Sequence, residues 1–219
     1  MDAPKNKLTI LLASGNLHKV EEIQAFFHAS GLDVTVLPAT HLDGLEENAP
    51  TFLGNAEIKA RFVLDEAHAQ NATFTLGDDS GFIVEALAGH QGLADFPGVR
   101  SNRWLEGQPT HADRCRGIYD LLGEHLQRQA RFVCAMSLIE VATGQIFSVE
   151  GVCPLWIRSD GALVGSNGFG YDPMVHYVDE EGKVSSQTMA ELSMAEKTAI
   201  SHRGRALEQL RIYLSDLIL

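Results

Sequence analysis

The sequence predicts a mixed α/β protein, and three observations carry that prediction. Short apolar runs ending in turn residues alternate with stretches of helical periodicity, the chain opens as strand, polar turn and helix, and a pair of β-rich runs occupies the second half. The 219 residues are 45% hydrophobic and 21% charged, with no internal repeat, linker or low-complexity segment, so a sizeable core fits in one or two lobes.

Taken in order, Leu8 to Ala13 is too short for a helix and ends in Ser14-Gly15-Asn16, so it reads as a buried strand and a turn. Val20, Ile23, Phe26 and Phe27 then recur at helical spacing, with Gly31 as the stop. Asp33 to Leu37 is the next strand, and Pro38 to Pro50 is an acidic loop carrying Asp43, Glu46 and Glu47. One helix is expected from about Thr51 to Asn71. Thr73 to Leu76 is expected as a strand that ends at Gly77-Asp78-Asp79-Ser80-Gly81, which puts the carboxylates at a strand end, and Phe82 to Val84 alternates onward.

Gly89 to Gln108 is rich in Gly and Pro and reads as an ordered loop or lid. Thr110 to Gln127 reads as helix. Phe132 to Val141 and Gln145 to Val152, joined by Ala142-Thr143-Gly144, predict a long antiparallel hairpin, expected to build a second lobe over about 130–180 of a single 1–219 domain. Ser193-Met194-Ala195-Glu196 is a capping box, and Leu207, Leu210, Leu214 and Leu217 form the apolar stripe of a last helix.

Lys and Arg total 17 against 29 Asp and Glu, a net charge of −12 that argues against nucleic acid and anionic lipid as partners. A small phosphorylated ligand stays open, because local charge decides. Cys115, Cys134 and Cys153 are odd in number and form no Cys-x-x-Cys pair, which suggests neither a disulfide framework nor a zinc site and fits a reducing compartment. No apolar run approaches the roughly 20 residues of a membrane span. The expectation is a soluble, cytoplasmic protein.

Four segments carry candidate chemistry. Asp78-Asp79-Ser80-Gly81 offers adjacent carboxylates that suit Mg2+ and the orientation of a water, or else is a solvated Asp-rich turn. Ser14-Gly15-Asn16 with Lys19 lies between strand and helix, where amide groups and the helix dipole attract phosphate; an ordinary helix cap has the same residues. Gly165 to Pro173 packs glycines around Phe169 and Tyr171, composition for a ligand loop with Phe169 against a base, or for a tight turn with core aromatics. Lys197, Ser201, His202 and Arg203 crowd together after the capping box, either awaiting an anionic partner or snorkelling at the surface.

In this order the segments Ser14-Gly15-Asn16-Leu17-His18-Lys19, Thr51-Phe52-Leu53-Gly54-Asn55-Ala56, Asp78-Asp79-Ser80-Gly81, Pro97-Gly98-Val99-Arg100-Ser101, Gly168-Phe169-Gly170-Tyr171-Asp172-Pro173 and Glu196 to Gly204 closely resemble the ITP/XTP pyrophosphatase family. The resemblance covers nearly the whole chain. It implies an elongated α/β fold with a mixed sheet flanked by helices, two lobes with a central nucleotide cleft, and a homodimer. It implies hydrolysis of ITP, XTP and their deoxy forms to the monophosphate and pyrophosphate with Mg2+ as cofactor. Carried over, Ser14, Gly15, Asn16 and Lys19 would hold the triphosphate. Asp79 would be the base and a metal ligand, and Ser80 would touch substrate. Glu46 is the expected acidic-loop ligand, with Glu47 close behind. Phe169, Gly170, Tyr171 and Asp172 would surround the base, and Lys197, His202 and Arg203 would recognise base and phosphate.

Departures from the family pattern are Ser14, where Thr is often found, a longer Gly89 to Phe96 stretch open to a lid or a dimer contact, and Asn102 in place of a small residue. A septum-associated type of nucleotide pyrophosphatase is a rival, opposed by the His202-Arg203 and Gly168 to Asp172 segments. A non-catalytic nucleotide sensor is another, opposed by the presence of Asp78, Asp79, Glu46 and Glu47.

Overall fold

The structure, a computed structural model, describes residues 7–168 and 170–218. Phe169, assigned above to base stacking, lies outside the described residues.

Strand β1 (Leu8–Leu12) pairs in parallel with β2 (Val34–Pro38) and with β3 (Phe74–Val84), setting Ile10 opposite both Val36 and Phe74. Helix α1 (Leu17–Ala29) makes the crossover between β1 and β2, its first turn capped by the Asn16 side chain, which accepts from the His18 N–H. Ile23 and Phe27 bury the inner face of α1, and Gly31, at φ +76, turns the chain out of the helix.

The expected single helix over 51–71 is two, α2 (Phe52–Phe62) and α3 (Leu64–Ala69). Val63 separates them at φ −98 and ψ 11, buried in a small cluster with Leu11, Ala13, Ala39, Ala67 and Ala72. Tertiary packing of this β-branched residue overrides a local sequence that holds no Gly or Pro to mark a break.

The expected strand end at Gly77-Asp78-Asp79-Ser80-Gly81 is also corrected, because β3 runs unbroken from Phe74 to Val84 and carries both carboxylates in its middle. Asp and Gly are poor strand formers in isolation, and here side chains from neighbouring helices pair with the carboxylates and satisfy them.

Strands β5 (Gln129–Glu140) and β6 (Ile146–Ile157) form the predicted hairpin, closed by the Glu140 N–H donating to the Gln145 carbonyl at 2.9 Å. The two-residue β4 (Pro97–Gly98) pairs with β3, and β7 (Val175–Val178) and β8 (Val184–Thr188) continue antiparallel from β6. The result is one mixed sheet of order β2-β1-β3-β5-β6-β7-β8, with β4 beside β3.

Helix α4 (His111–Leu122) begins at a capping box of Thr110 and Asp113 and stops at Gly123, φ +48, short of the expected Gln127. The terminal capping box opens a separate helix, α5 (Met194–Ile200), ahead of α6 (His202–Ile218). Between them Ser201, at ψ 157, leaves the helical region while its Oγ accepts from the Gly204 N–H at 3.0 Å. A Cβ on Gly204 would stand 1.9 Å from the Thr198 carbonyl oxygen, so only glycine admits this corner. Leu207, Leu210 and Leu214 are fully buried, each contributing about 2 kcal/mol over exposure. Leu217 is 53% exposed, so the predicted stripe ends one turn before the helix does.

The chain divides into two compact units. The first takes residues up to Asp79, Cys134–Glu150 and Arg205 onward; the second takes Ser80–Val133 and Gly151–Gly204. The hairpin tip therefore belongs to the first unit, not to a 130–180 lobe, because Cys134, Met136, Leu138 and Val149 pack with Ile10, Phe27, Phe74 and Leu207 in its core. Phe82, Phe96, Trp104, Ile118, Leu155 and Met174 belong to the core of the second.

Candidate active site

In the first unit the site begins with a missing side chain. A Cβ on Gly77 of β3 would lie 1.9 Å from the Ala56 carbonyl oxygen and 2.8 Å from the Ala60 nitrogen, so α2 rests on bare strand backbone. That approach brings Asn55 and Lys59, both buried on the inner face of α2, against the next two residues of the strand. Asn55 Nδ2 donates to Asp79 Oδ2 at 3.0 Å. Lys59 Nζ donates to the Asp78 carbonyl at 3.0 Å and to Asp79 Oδ1 at 3.2 Å, and it stands 2.7 Å from Glu47 Oε2. Lys19 Nζ reaches both Asp78 oxygens at 3.0 Å. Each strand carboxylate thus has its own lysine.

Burial pushes the Asp79 carboxyl above the ordinary carboxylate range, and the charge of Lys59 and the hydrogen bonds from Asn55 and Lys59 only partly oppose it. For Lys59 burial acts to lower the ammonium, yet the charge of Asp79 and the contact with Glu47 outweigh it and raise its affinity for the proton. The pair is therefore a firmly charged cation beside a carboxylate whose basicity is enhanced, and a carboxylate so tuned makes the better base near neutrality.

The phosphate candidate lies at the start of α1. Ser14 Oγ accepts from the Asn16 N–H at 3.2 Å, Asn16 caps the helix, and Gly15 and Asn16 are exposed at the positive end of a 13-residue dipole. The first unit thus brings together Lys19, Asp78, Asp79 and Glu47. It does not add Glu46, which is exposed, whereas Glu47 shares Lys59 with Asp79.

The second unit holds the other group. Asp172, 2% exposed, pairs with Lys197 Nζ at 2.6 Å, and a Cβ on Gly168 would fall 2.4 Å from Asp172 Oδ2, so the glycine makes room for this ion pair. Tyr171 is a core residue: its ring stacks on Phe82 at 4.5 Å, and its hydroxyl accepts from Trp104 Nε1 at 2.8 Å and donates to the Ser101 carbonyl at 2.7 Å. Its side chain is thereby fixed within the core of the second unit. The Gly170 carbonyl accepts from Cys115 Sγ at 3.6 Å, and burial pushes that thiol up to about 12. His202 packs its ring on Phe132 at 5.1 Å, and Arg203 beside it is half-buried. Ser80 Oγ is buried without a hydrogen-bond partner.

The geometry has a counterpart among known proteins. A model of the Ham1 family matches residues 10–213. The chain belongs to the Ham1 family. A dITP/XTP pyrophosphatase of Bacillus cereus is 38% identical, the match covering 94% of this chain and 94% of that protein. The dITP/XTP pyrophosphatase of Escherichia coli K12 is 36% identical, over 92% of this chain and 95% of its own. Among solved structures, a HAM1 protein from Coxiella burnetii superimposes with a TM-score of 0.79 at 34% identity, covering 95% of this chain and 99% of that one. A nucleoside-triphosphatase / dITP/XTP pyrophosphatase from Mycobacterium abscessus gives 0.67 at 33% identity, covering 93% and 97%.

Among the described residues no group of three or more His, Cys, Asp or Glu side chains is gathered as a metal cage. For Mg2+ that is no obstacle, since it keeps several waters and takes one or two carboxylates plus substrate phosphates. The hard oxygens of Asp79 and Glu47, linked through one lysine, fit that donor set. Asn55 and Lys59 extend the site beyond the residues that the sequence predicts. Their signal was present: polar residues four apart on the helix face that also buries Phe52, Ala56 and Ala60.

Proposed function

We infer that this Ham1-family chain hydrolyses non-standard purine nucleoside triphosphates, ITP, XTP and their deoxy forms, to the monophosphate and pyrophosphate, and so removes them from the nucleotide pool. The observation that carries the reading is Asp79, a buried carboxylate of enhanced basicity held from two sides by Asn55 and Lys59. Asp79 accepts a proton from the water that attacks the α-phosphorus, the bond to the pyrophosphate oxygen breaks, and the pyrophosphate leaves. Lys19 and the amides of Ser14 to Asn16 hold phosphate oxygens, Lys59 holds Asp79 in place, and catalysis is positioning and electrostatics.

Mg2+ is the metal in this reading, with Asp79 and Glu47 to hold it; when bound it neutralises charge on the phosphates. Asp172, Lys197, His202 and Arg203 serve the base. Lys197 and Arg203 are donors, which suit the 6-oxo group of hypoxanthine and xanthine and leave the adenine amino group badly paired. GTP shares that oxygen, so its exclusion rests on the 2-position. The assembly is a homodimer and the compartment the cytoplasm. Three buried free cysteines and the absence of a helix long and apolar enough to cross a membrane among the described residues support that compartment.

Asp79→Asn keeps the shape and removes the base. Its dITP turnover, followed by pyrophosphate release with and without Mg2+, is expected to fall about a thousandfold or more with the fold retained by circular dichroism. Near-normal turnover would take Asp79 out of the base role, and nucleotide binding without release in the unaltered protein would make the chain a sensor.

A further inference from the structure

The acidic loop between β2 and α2 has no regular structure, yet it delivers Glu47 to within 2.7 Å of Lys59. Its far end is fixed by Asn55, whose Oδ1 accepts from the Ala49 N–H at 2.9 Å. Its near end is fixed by a residue with no part in the chemistry. Glu66 of α3, its side chain 12% exposed, accepts at Oε1 from the Thr40 N–H at 2.9 Å and the Thr40 hydroxyl at 2.8 Å, and at Oε2 from the His41 N–H at 3.3 Å. Gln70 Nε2 adds a further donor at 2.9 Å.

A solvated helix glutamate would be content with the Gln70 partner four residues on. Glu66 instead reaches back across the chain to two successive backbone amides. Burial works against its charge, but the Thr40 and His41 donors outweigh it and hold the carboxyl below its ordinary range, so the clamp is ionised near neutrality. Between the two anchors Leu42 packs on the small cluster that includes Val63, and the Leu45 N–H closes a turn onto the Leu42 carbonyl at 3.2 Å.

We propose that Glu66 is a positioning residue for the hydrolysis, fixing the acidic loop in the register that carries Glu47 to Lys59 and Asp79. This rests on the assignment of Glu47 to the metal. Outer partners of metal ligands typically matter tenfold to a hundredfold in affinity or activity, through orientation alone.

The test uses Glu66→Ala and Glu66→Gln, each alone and combined with Glu47→Gln. In the metal-free, nucleotide-free protein, amide exchange over 41–49 is expected to quicken about tenfold in Glu66→Ala, with α2 and β3 unaffected, and less in Glu66→Gln, which keeps an acceptor. The Mg2+ concentration for half-maximal dITP turnover is expected to rise about tenfold. In the Glu47→Gln background Glu66→Ala adds no further loss, since the ligand it positions is already gone. Unchanged exchange over 41–49, or an equal loss in both backgrounds, overturns the proposal. Normal turnover by Glu47→Gln alone instead removes Glu47 from the metal site, a failure of the functional reading that the exchange data do not share.

Discussion

Lys59 and Asp79 are both raised in proton affinity, and the signs carry consequences. For Lys59 the stabilisation is fully present below its unfolded value of 10.5 and is lost as pH rises through the higher folded value. For Asp79, whose folded value also lies above the unfolded 3.8, stability falls as pH rises through the folded value, so the ionised carboxylate at neutral pH is the strained form. Lys59 is the main group that moderates that strain, ahead of Asn55. Replacing it in Lys59→Met is therefore expected to raise Asp79 further and to move the acid limb of the kcat/KM profile to higher pH. An acid limb that stays in place or moves lower would show that Lys59 does not set the basicity of Asp79. A mere phosphate-binding lysine would change KM without moving the limb.

At the scale of elements, β3 against α2 decides whether the site exists. Gly77→Ala forces a methyl against the Ala56 carbonyl, which backbone cannot avoid by a rotamer change, and is expected to destabilise the protein by about 2–3 kcal/mol in urea unfolding. A loss below about 0.5 kcal/mol would mean that α2 lifts off without penalty. The same contact explains what was legible in the sequence. The strand-turn-helix opening, the hairpin and the capping box rest on local signals and stand in the structure. Asp78 and Asp79 stood out by type, but their place inside a strand depends on Lys19, Lys59 and Asn55, none of them local to it. A helix lysine is usually solvated, so its type alone does not mark Lys59, and only the absent side chain at Gly77, in another element, turns it inward. The break at Val63 is likewise tertiary, made by burial of Val63, whereas the corner at Ser201 is local, formed with Thr198 and Gly204.

For the whole molecule, the two units hold different groups, with Lys19, Lys59, Asp78 and Asp79 in the first and the Asp172–Lys197 pair in the second. That pair is also structural, since Asp172 is buried, and a single replacement confuses the two roles. Lys197→Met removes the Lys197 cation from the buried Asp172 carboxylate and is expected to lose about 2 kcal/mol, the exposed side of Lys197 moderating the full penalty. Adding Asp172→Asn removes the buried charge, and the double variant is expected to regain stability to within about 1 kcal/mol of the unaltered protein. Recognition does not return with it. The double variant is expected to show a KM for ITP raised about tenfold or more and a narrowed preference for ITP over ATP, with kcat little changed because Asp79 and Lys59 are intact. Urea unfolding beside a panel of nucleotides separates the outcomes. If the double variant recovers both stability and a normal KM, the pair holds the loop and nothing more, and base selection must be sought in His202 and Arg203.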